Sequence, residues 1–226
     1  DLRVHINLGV IYQQNRKFKE AKSIFLKVIK SFPNSLEAYL NLGQIFREEG
    51  EFKKAAEFFQ KAIILKPNNR IGYNNLASIY VNNNLFDEAA DILKKCTEIF
   101  PEDFNTFINY GCVLKELGKY ENAEIYFKES INLKPNLAIA YVNLAAVQKD
   151  LKKLSEAEKN ILKAIKLDPN SALAFNNFGN ILKEKGSLDE AEKNYRKAIS
   201  INKDFYLAYN NIGNLFSTKG DLLNAE

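Results

Sequence analysis

The chain has 226 residues, 46% apolar and 27% charged, the composition of an ordinary globular protein. Its net charge of +4 comes from 32 basic and 28 acidic residues with no run of either sign, which argues against nucleic acid as a partner, and no apolar stretch approaches the ~20 residues of a membrane span. Cys96 and Cys112 give no metal spacing and no disulfide framework, and His5, the one histidine, leaves no Ser–His or Cys–His pair, so no cofactor, no metal and no catalysis are expected of this segment.

All five prolines, Pro33, Pro67, Pro101, Pro135 and Pro169, stand 34 residues apart. Numbering each copy 1 to 34 from Leu2 puts every proline at register position 32. The first copy, 2–35, reads as two helices, A and B, with His5 and Gly9 in the first and Ala21, Phe25 and Val28 in the second. The second, 36–69, shows the pattern in full: Tyr39, Leu42, Gly43 and Phe46 fall at positions 4, 7, 8 and 11 with the 3.6 period of helix A. Gly50 at position 15 tolerates the left-handed conformation that ends a helix. Phe52, Ala55, Phe59, Ala62 and Ile63 then trace helix B, which Pro67 cannot extend.

The third copy, 70–103, repeats this with Tyr73, Ala77, Asn84, Ala89 and Leu93, and Cys96 falls at a small core position. The fourth, 104–137, carries Phe107, Gly111, Gly118, Ala123 and Phe127. The fifth, 138–171, has Tyr141, Ala145, Ala157 and Ile161, but Gln148 where an aromatic or Leu is expected and Lys152 where Gly is preferred. It is therefore expected to be the least well packed. The sixth, 172–205, has Phe175, Gly179, Gly186, Ala191 and Tyr195, with Lys203 in place of Pro. A partial seventh, 206–226, has Tyr209, Gly213 and Gly220 and opens helix B with Leu222, Leu223 and Ala225. Without a strand signal the class is all-α.

This pattern resembles the tetratricopeptide repeat, whose signature is Trp-x2-Leu-Gly-x2-Tyr, then Ala-x3-Phe, then Pro in 34 residues. The resemblance spans 1–226 without gap, although Trp is never used at position 4. It implies one right-handed superhelical solenoid of tandem helix-turn-helix repeats, each hairpin burying its apolar faces on its neighbours. It also implies a concave groove lined by helix A, exposing positions 2, 5, 6, 9, 12 and 13, and a protein or peptide as the partner.

Position 6 is asparagine in every copy: Asn7, Asn41, Asn75, Asn109, Asn143, Asn177 and Asn211. A primary amide offers two donors and one acceptor, so it can pair with both the N–H and the C=O of a peptide. With A helices ~10 Å apart and an extended peptide advancing ~3.3 Å per residue, one asparagine would meet about every third residue. Asparagine at this position is common across the family, including arrays that bind other partners, so amides bonded to a neighbouring helix or to water are the alternative reading. The unbroken series, with Gly-Asn-containing helices such as Asn176 to Leu182, is similar to the repeat region of O-linked N-acetylglucosamine transferases. That likeness implies a substrate-recruiting arm of a larger enzyme. The two-carboxylate clamp of chaperone-binding repeats needs Lys at position 5, which here is Ile6, Leu40, Asn74, Ile108, Val142, Asn176 and Asn210, so the clamp is absent. Arg47, Lys115, Lys149 and Lys183 at position 12 adjoin Glu48, Glu116, Asp150 and Glu184 at position 13 and read as a solvated groove edge.

Met is absent throughout and the seventh copy is partial, which leads to the expectation that the segment belongs to a longer, cytoplasmic chain. Ile212, Leu215 and Phe216 would then partly face solvent, and self-association through the uncapped C-terminal repeat is expected of the isolated segment.

Overall fold

A computed structural model describes residues 1–220, which form thirteen α-helices and no strand. In chain order these are α1 (Leu2–Gln14), α2 (Phe18–Ser31), α3 (Leu36–Glu48), α4 (Phe52–Leu65), α5 (Arg70–Asn82), α6 (Phe86–Ile99), α7 (Phe104–Glu116), α8 (Tyr120–Leu133), α9 (Ala138–Asp150), α10 (Leu154–Leu167), α11 (Ala172–Glu184), α12 (Leu188–Ile201) and α13 (Tyr206–Lys219). Every odd-numbered helix starts at register position 1 and every even-numbered one at position 17, so the odd ones are the A helices and the even ones the B helices. The chain divides into two compact units, Asp1–Pro101 and a second from Glu102 onward. Within each unit an A helix packs on its own B helix, the B helix packs on the next A helix, and successive A helices also touch. This is the all-α, solenoid-like stacking expected of tandem hairpins.

The hairpin closes where position 8 meets position 24. A Cβ added to Gly9 would stand 2.7 Å from the Phe25 ring, one on Gly43 2.8 Å from Phe59, and one on Gly111 2.7 Å from Phe127; at Gly179 it would collide with Tyr195. Where position 8 is Ala77 or Ala145 instead, position 24 is Leu93 or Ile161. A ring therefore lies on a bare helix backbone, and a narrower aliphatic chain accompanies a methyl. All six of these position-24 side chains are at most 1% exposed. Each contributes roughly 1.5–3 kcal/mol by burial. Ala21, Ala55, Ala89, Ala123, Ala157 and Ala191 at position 20 are fully buried; Ala225, the seventh of that series, lies outside the described residues, as do Leu222 and Leu223.

Position 15 is left-handed in all seven copies: φ is +78° at Gly50, +71° at Gly118, +83° at Gly186 and +73° at Gly220, and also +55° at Arg16, +58° at Asn84 and +61° at Lys152. In the first six copies the residue after it sends its N–H back to the carbonyl at position 11, as Glu51 does to Phe46 and Lys153 to Gln148, both at 2.8 Å. This is the six-to-one bond of a Schellman turn. The hydrogen bonding thus imposes the turn even on Lys152, where the side chain opposes it. Helix B ends at position 30, and position 31 leaves the α region, with ψ between 65° and 89° before the five prolines, which disfavour that region in the residue ahead of them. Asn202 leaves the α region as well, at φ −132° and ψ 105°, although Lys203 follows it.

The fifth repeat is not loosely packed, contrary to the expectation from Gln148 and Lys152. In the second repeat Phe46 at position 11 stacks on Phe58 at position 23, with centroids 5.2 Å apart. In the fifth the same two positions hold Gln148 and Asn160, and Asn160 Nδ2 donates to Gln148 Oε1 at 2.7 Å. Gln148 is 2% exposed. Its Nε2 donates to Glu124 Oε1 at 3.1 Å and to Glu156 Oε2 at 3.3 Å. Glu124, on α8, also holds Lys153 at 2.6 Å and Lys128 at 2.7 Å. Burial alone would push its carboxyl pKa up, but the hydrogen bonds from Lys128, Lys153 and Gln148 outweigh this and hold it at about 2. A polar pair with its own partners has replaced an aromatic pair in one slot.

Ion pairs also join a B helix to the A helix that follows it. Lys22 at position 21 meets Glu49 at position 14 at 2.6 Å, and Glu158 at position 21 meets Lys185 at position 14. At the C-terminal end Leu215 is fully buried against Leu182, Ala191 and Tyr195, contrary to the expectation that it would face solvent, because position 10 points back to the sixth repeat. Ile212 and Phe216 are half-buried.

Two measurements probe this packing. Gly111→Ala is expected to cost about 1–3 kcal/mol by overpacking against Phe127. Combining it with Phe127→Leu, the pairing found in the third repeat, should recover on the order of 1 kcal/mol in a double-mutant cycle by urea unfolding. The depressed Glu124 pKa makes stability full above about pH 4.5 and progressively lost as pH falls toward 2. Glu124→Gln should be less stable at neutral pH and should show a shallower acid loss over that window.

Candidate functional site

The seven position-6 asparagines all lie on A helices, Asn7, Asn41 and Asn75 in the first unit and Asn109, Asn143, Asn177 and Asn211 in the second. Asn7 and Asn109 are exposed and the other five half-buried. Three of the amides reach the preceding A helix. Asn75 Oδ1 accepts from Arg47 Nη1 at 3.4 Å, Asn143 Nδ2 lies 3.6 Å from Cys112 Sγ, and Asn211 Nδ2 donates to Asn176 Oδ1 at 2.8 Å. Asn41 Nδ2 turns back on its own helix and donates to the Glu37 carbonyl at 2.9 Å. The side chains of Asn7, Asn109 and Asn177 make no hydrogen bond among the described residues. The row therefore divides into three amides that tie A helices together, one turned back on its own helix and three that are free.

Position 5 belongs to the exposed face only at Asn210; Leu40 and Asn74 are half-buried there and the other four copies turn it inward, contrary to the expectation. Ile6, Ile108, Val142 and Asn176 there are at most 9% exposed. The reason is angular: on a helix, position 6 shares its face with 2, 9 and 13, whereas 5 is turned about 100° toward the core. Asn176 at this position was missed as a ladder partner; its Oδ1 holds Asn211. Cys112 and Arg47 were likewise unforeseen as neighbours of the row. The signal lay in their register: positions 9 and 12 of one copy stand beside position 6 of the next.

The rim of this face at positions 12 and 13 is ionic. Lys149 Nζ meets Asp150 at 2.6 Å and Glu184 at 3.4 Å, and Lys152 meets Glu184 at 2.8 Å. Desolvation would lower the Lys149 pKa, but the bonds to Asp150 and Glu184 raise it. Glu184 is lowered, its desolvation outweighed by Lys152 and Lys149. Lys115 meets Glu116 at 3.2 Å, and Lys183 has no ionic partner among the described residues. Burial pushes the Cys112 thiol up, away from the thiolate that a nucleophile requires. His5 is exposed, with Nδ1 2.8 Å from the Asp1 carbonyl oxygen. Cys96 is fully buried in the core. Among the described residues no group of His, Cys, Asp and Glu could hold a metal ion, and no helix is long and apolar enough to cross a membrane.

Models of the tetratricopeptide repeat match residues 6–70, 46–105, 104–137, 138–171 and 160–193, and a further TPR-repeat model matches 179–220. No curated protein matches the chain. Among solved structures it is similar to YrrB, a TPR protein described as having an unusual peptide-binding site, at 26% identity and a TM-score of 0.67, covering 86% of this chain and 97% of that one. It is also similar to pilF of Pseudomonas aeruginosa, at 21% identity and a TM-score of 0.74, covering 94% and 97%. The Cut9–Hcn1 hetero-tetramer of the APC/C matches at 19% identity and a TM-score of 0.70, covering 96% of this chain and 42% of that one. At these last two identities the likeness concerns the fold alone.

Proposed function

The chain is an array of tandem tetratricopeptide repeats, and from that premise we propose that it is a protein-interaction scaffold holding an extended polypeptide segment across the A helices of a unit. The position-6 amides bond to the backbone of that segment. The observation that carries this reading is the presence of open amides at one register position: Asn109 and Asn177 in the second unit and Asn7 in the first. Asn143, tied only through a long contact to a sulfur, keeps its carbonyl oxygen for a ligand N–H. The likeness to YrrB, itself described as peptide-binding, supports the same class of partner.

The unbroken asparagine series supports a narrower second reading, in which the array recruits polypeptide substrate for an O-GlcNAc-transferase-like glycosyltransferase. On either reading the repeats bind and orient, and no residue described above is poised for bond chemistry.

Replacing Asn109, Asn143 and Asn177 together by Ala should weaken binding of an extended peptide by about 0.5–1.5 kcal/mol for each hydrogen bond lost. Calorimetric titration would measure it, and circular dichroism should show the helices retained. Unchanged affinity would remove the amide row from the binding mechanism.

A further inference from the structure

The second unit presents three parallel rows across its A helices. At position 2, Ile139 and Leu207 are 41% and 40% exposed and Leu173 is half-buried. At position 6 stand the amides. At positions 12 and 13 stand charges of both signs, Lys115 beside Glu116 and Lys149 beside Asp150. Ile139 and Leu207 are large apolar side chains left largely in water, and Leu173 between them, although packed in part on the core, continues their row at the same register position of three successive repeats. The first unit has no such row, since its position 2 holds Arg3, Glu37 and Ile71.

The geometry of an extended chain gives these rows a joint meaning. Position 2 lies about 6 Å along the helix from position 6, and positions 12 and 13 about 9–10 Å beyond it on the other side. In an extended strand the backbone N–H and C=O groups point at right angles to the side chains, and successive side chains point in opposite directions. If amides below hold the backbone, the side chains are directed alternately toward the two rims. About six residues span two repeats, so three side chains face the apolar rim and three the charged one. A helical ligand could not use this arrangement, because its backbone groups are already bonded within the helix.

We infer that the second unit selects extended segments in which apolar and polar residues alternate, the apolar side chains lying along Ile139, Leu173 and Leu207 and the polar ones along the lysine–carboxylate rim. This rests on the backbone-holding reading given above. It adds a side-chain preference of period two that an amide row alone does not provide.

The test uses two peptides of about twelve residues and the same composition, one strictly alternating and one with its apolar residues at helical spacing. The whole chain is titrated with each by fluorescence anisotropy. The alternating peptide should bind roughly tenfold more tightly. Ile139→Ser with Leu207→Ser should abolish that preference. Asn105→Leu, which extends the apolar row by one repeat from an exposed position, should enlarge it, and this variant carries the test should the double variant fold poorly. Equal affinity for the two peptides, or a preference unmoved by these variants, would overturn the inference while leaving the backbone-holding reading intact. No binding of either peptide would overturn both.

Discussion

The array depends on how closely helix A approaches helix B within one hairpin. That approach is set by a single pair of positions. A ring at position 24 lies directly on the backbone at position 8, so the two helices come nearer than any side chain at position 8 would allow. When a methyl is present instead, the opposing side chain narrows to Leu93 or Ile161. The sum of the two volumes is conserved while its division changes, as expected where an interior is packed to crystal density. Tyr195 shows how far the constraint reaches. Its ring is fully buried on Gly179, and its hydroxyl is carried outward to donate to Asn180 Oδ1 at 2.8 Å. Burial pushes its pKa up to about 12, so it remains a neutral donor.

Once the hairpin is closed, what remains exposed on helix A is fixed by rotation. Positions 2, 6, 9 and 13 lie on one face together, and position 5 turns in at Ile6, Ile108, Val142 and Asn176. The amides thus sit at the junction between neighbouring A helices, where some reach the preceding helix and others do not. Asn211 is committed to Asn176, whereas Asn109 and Asn177 are uncommitted. The capacity of the row consequently depends on what stands at positions 5, 9 and 12 beside each amide.

Most of the fold was readable from spacing, because glycine, alanine and proline at fixed intervals report backbone requirements that few other residues meet. Lys152 and Gln148 were misread for a common reason. Each was judged against the residue type usual at its position, while its stability comes from partners remote in sequence. Lys152 is held by a hydrogen-bonded turn, and Gln148 by Glu124, Glu156 and Asn160. The inward turn of position 5 was legible from helical geometry, but the groove-facing set was taken over whole from the family. The register shows which residues stand beside each amide, but not which amides are tied and which are free, since that depends on side-chain reach between copies.

The charges that join neighbouring repeats run in opposite senses along the chain. At the first junction the cation is on the B helix and the anion on the next A helix, as Lys22 and Glu49; at the junction of the fifth and sixth repeats the anion comes first, as Glu158 and Lys185. A copy taken from the start and spliced ahead of the sixth would set Lys22 against Lys185, and one taken from the fifth and spliced ahead of the second would set Glu158 against Glu49. At these two seams the copies are therefore not interchangeable beads: duplication or recombination there is constrained by the polarity of the charge pair as well as by the shape of each hairpin.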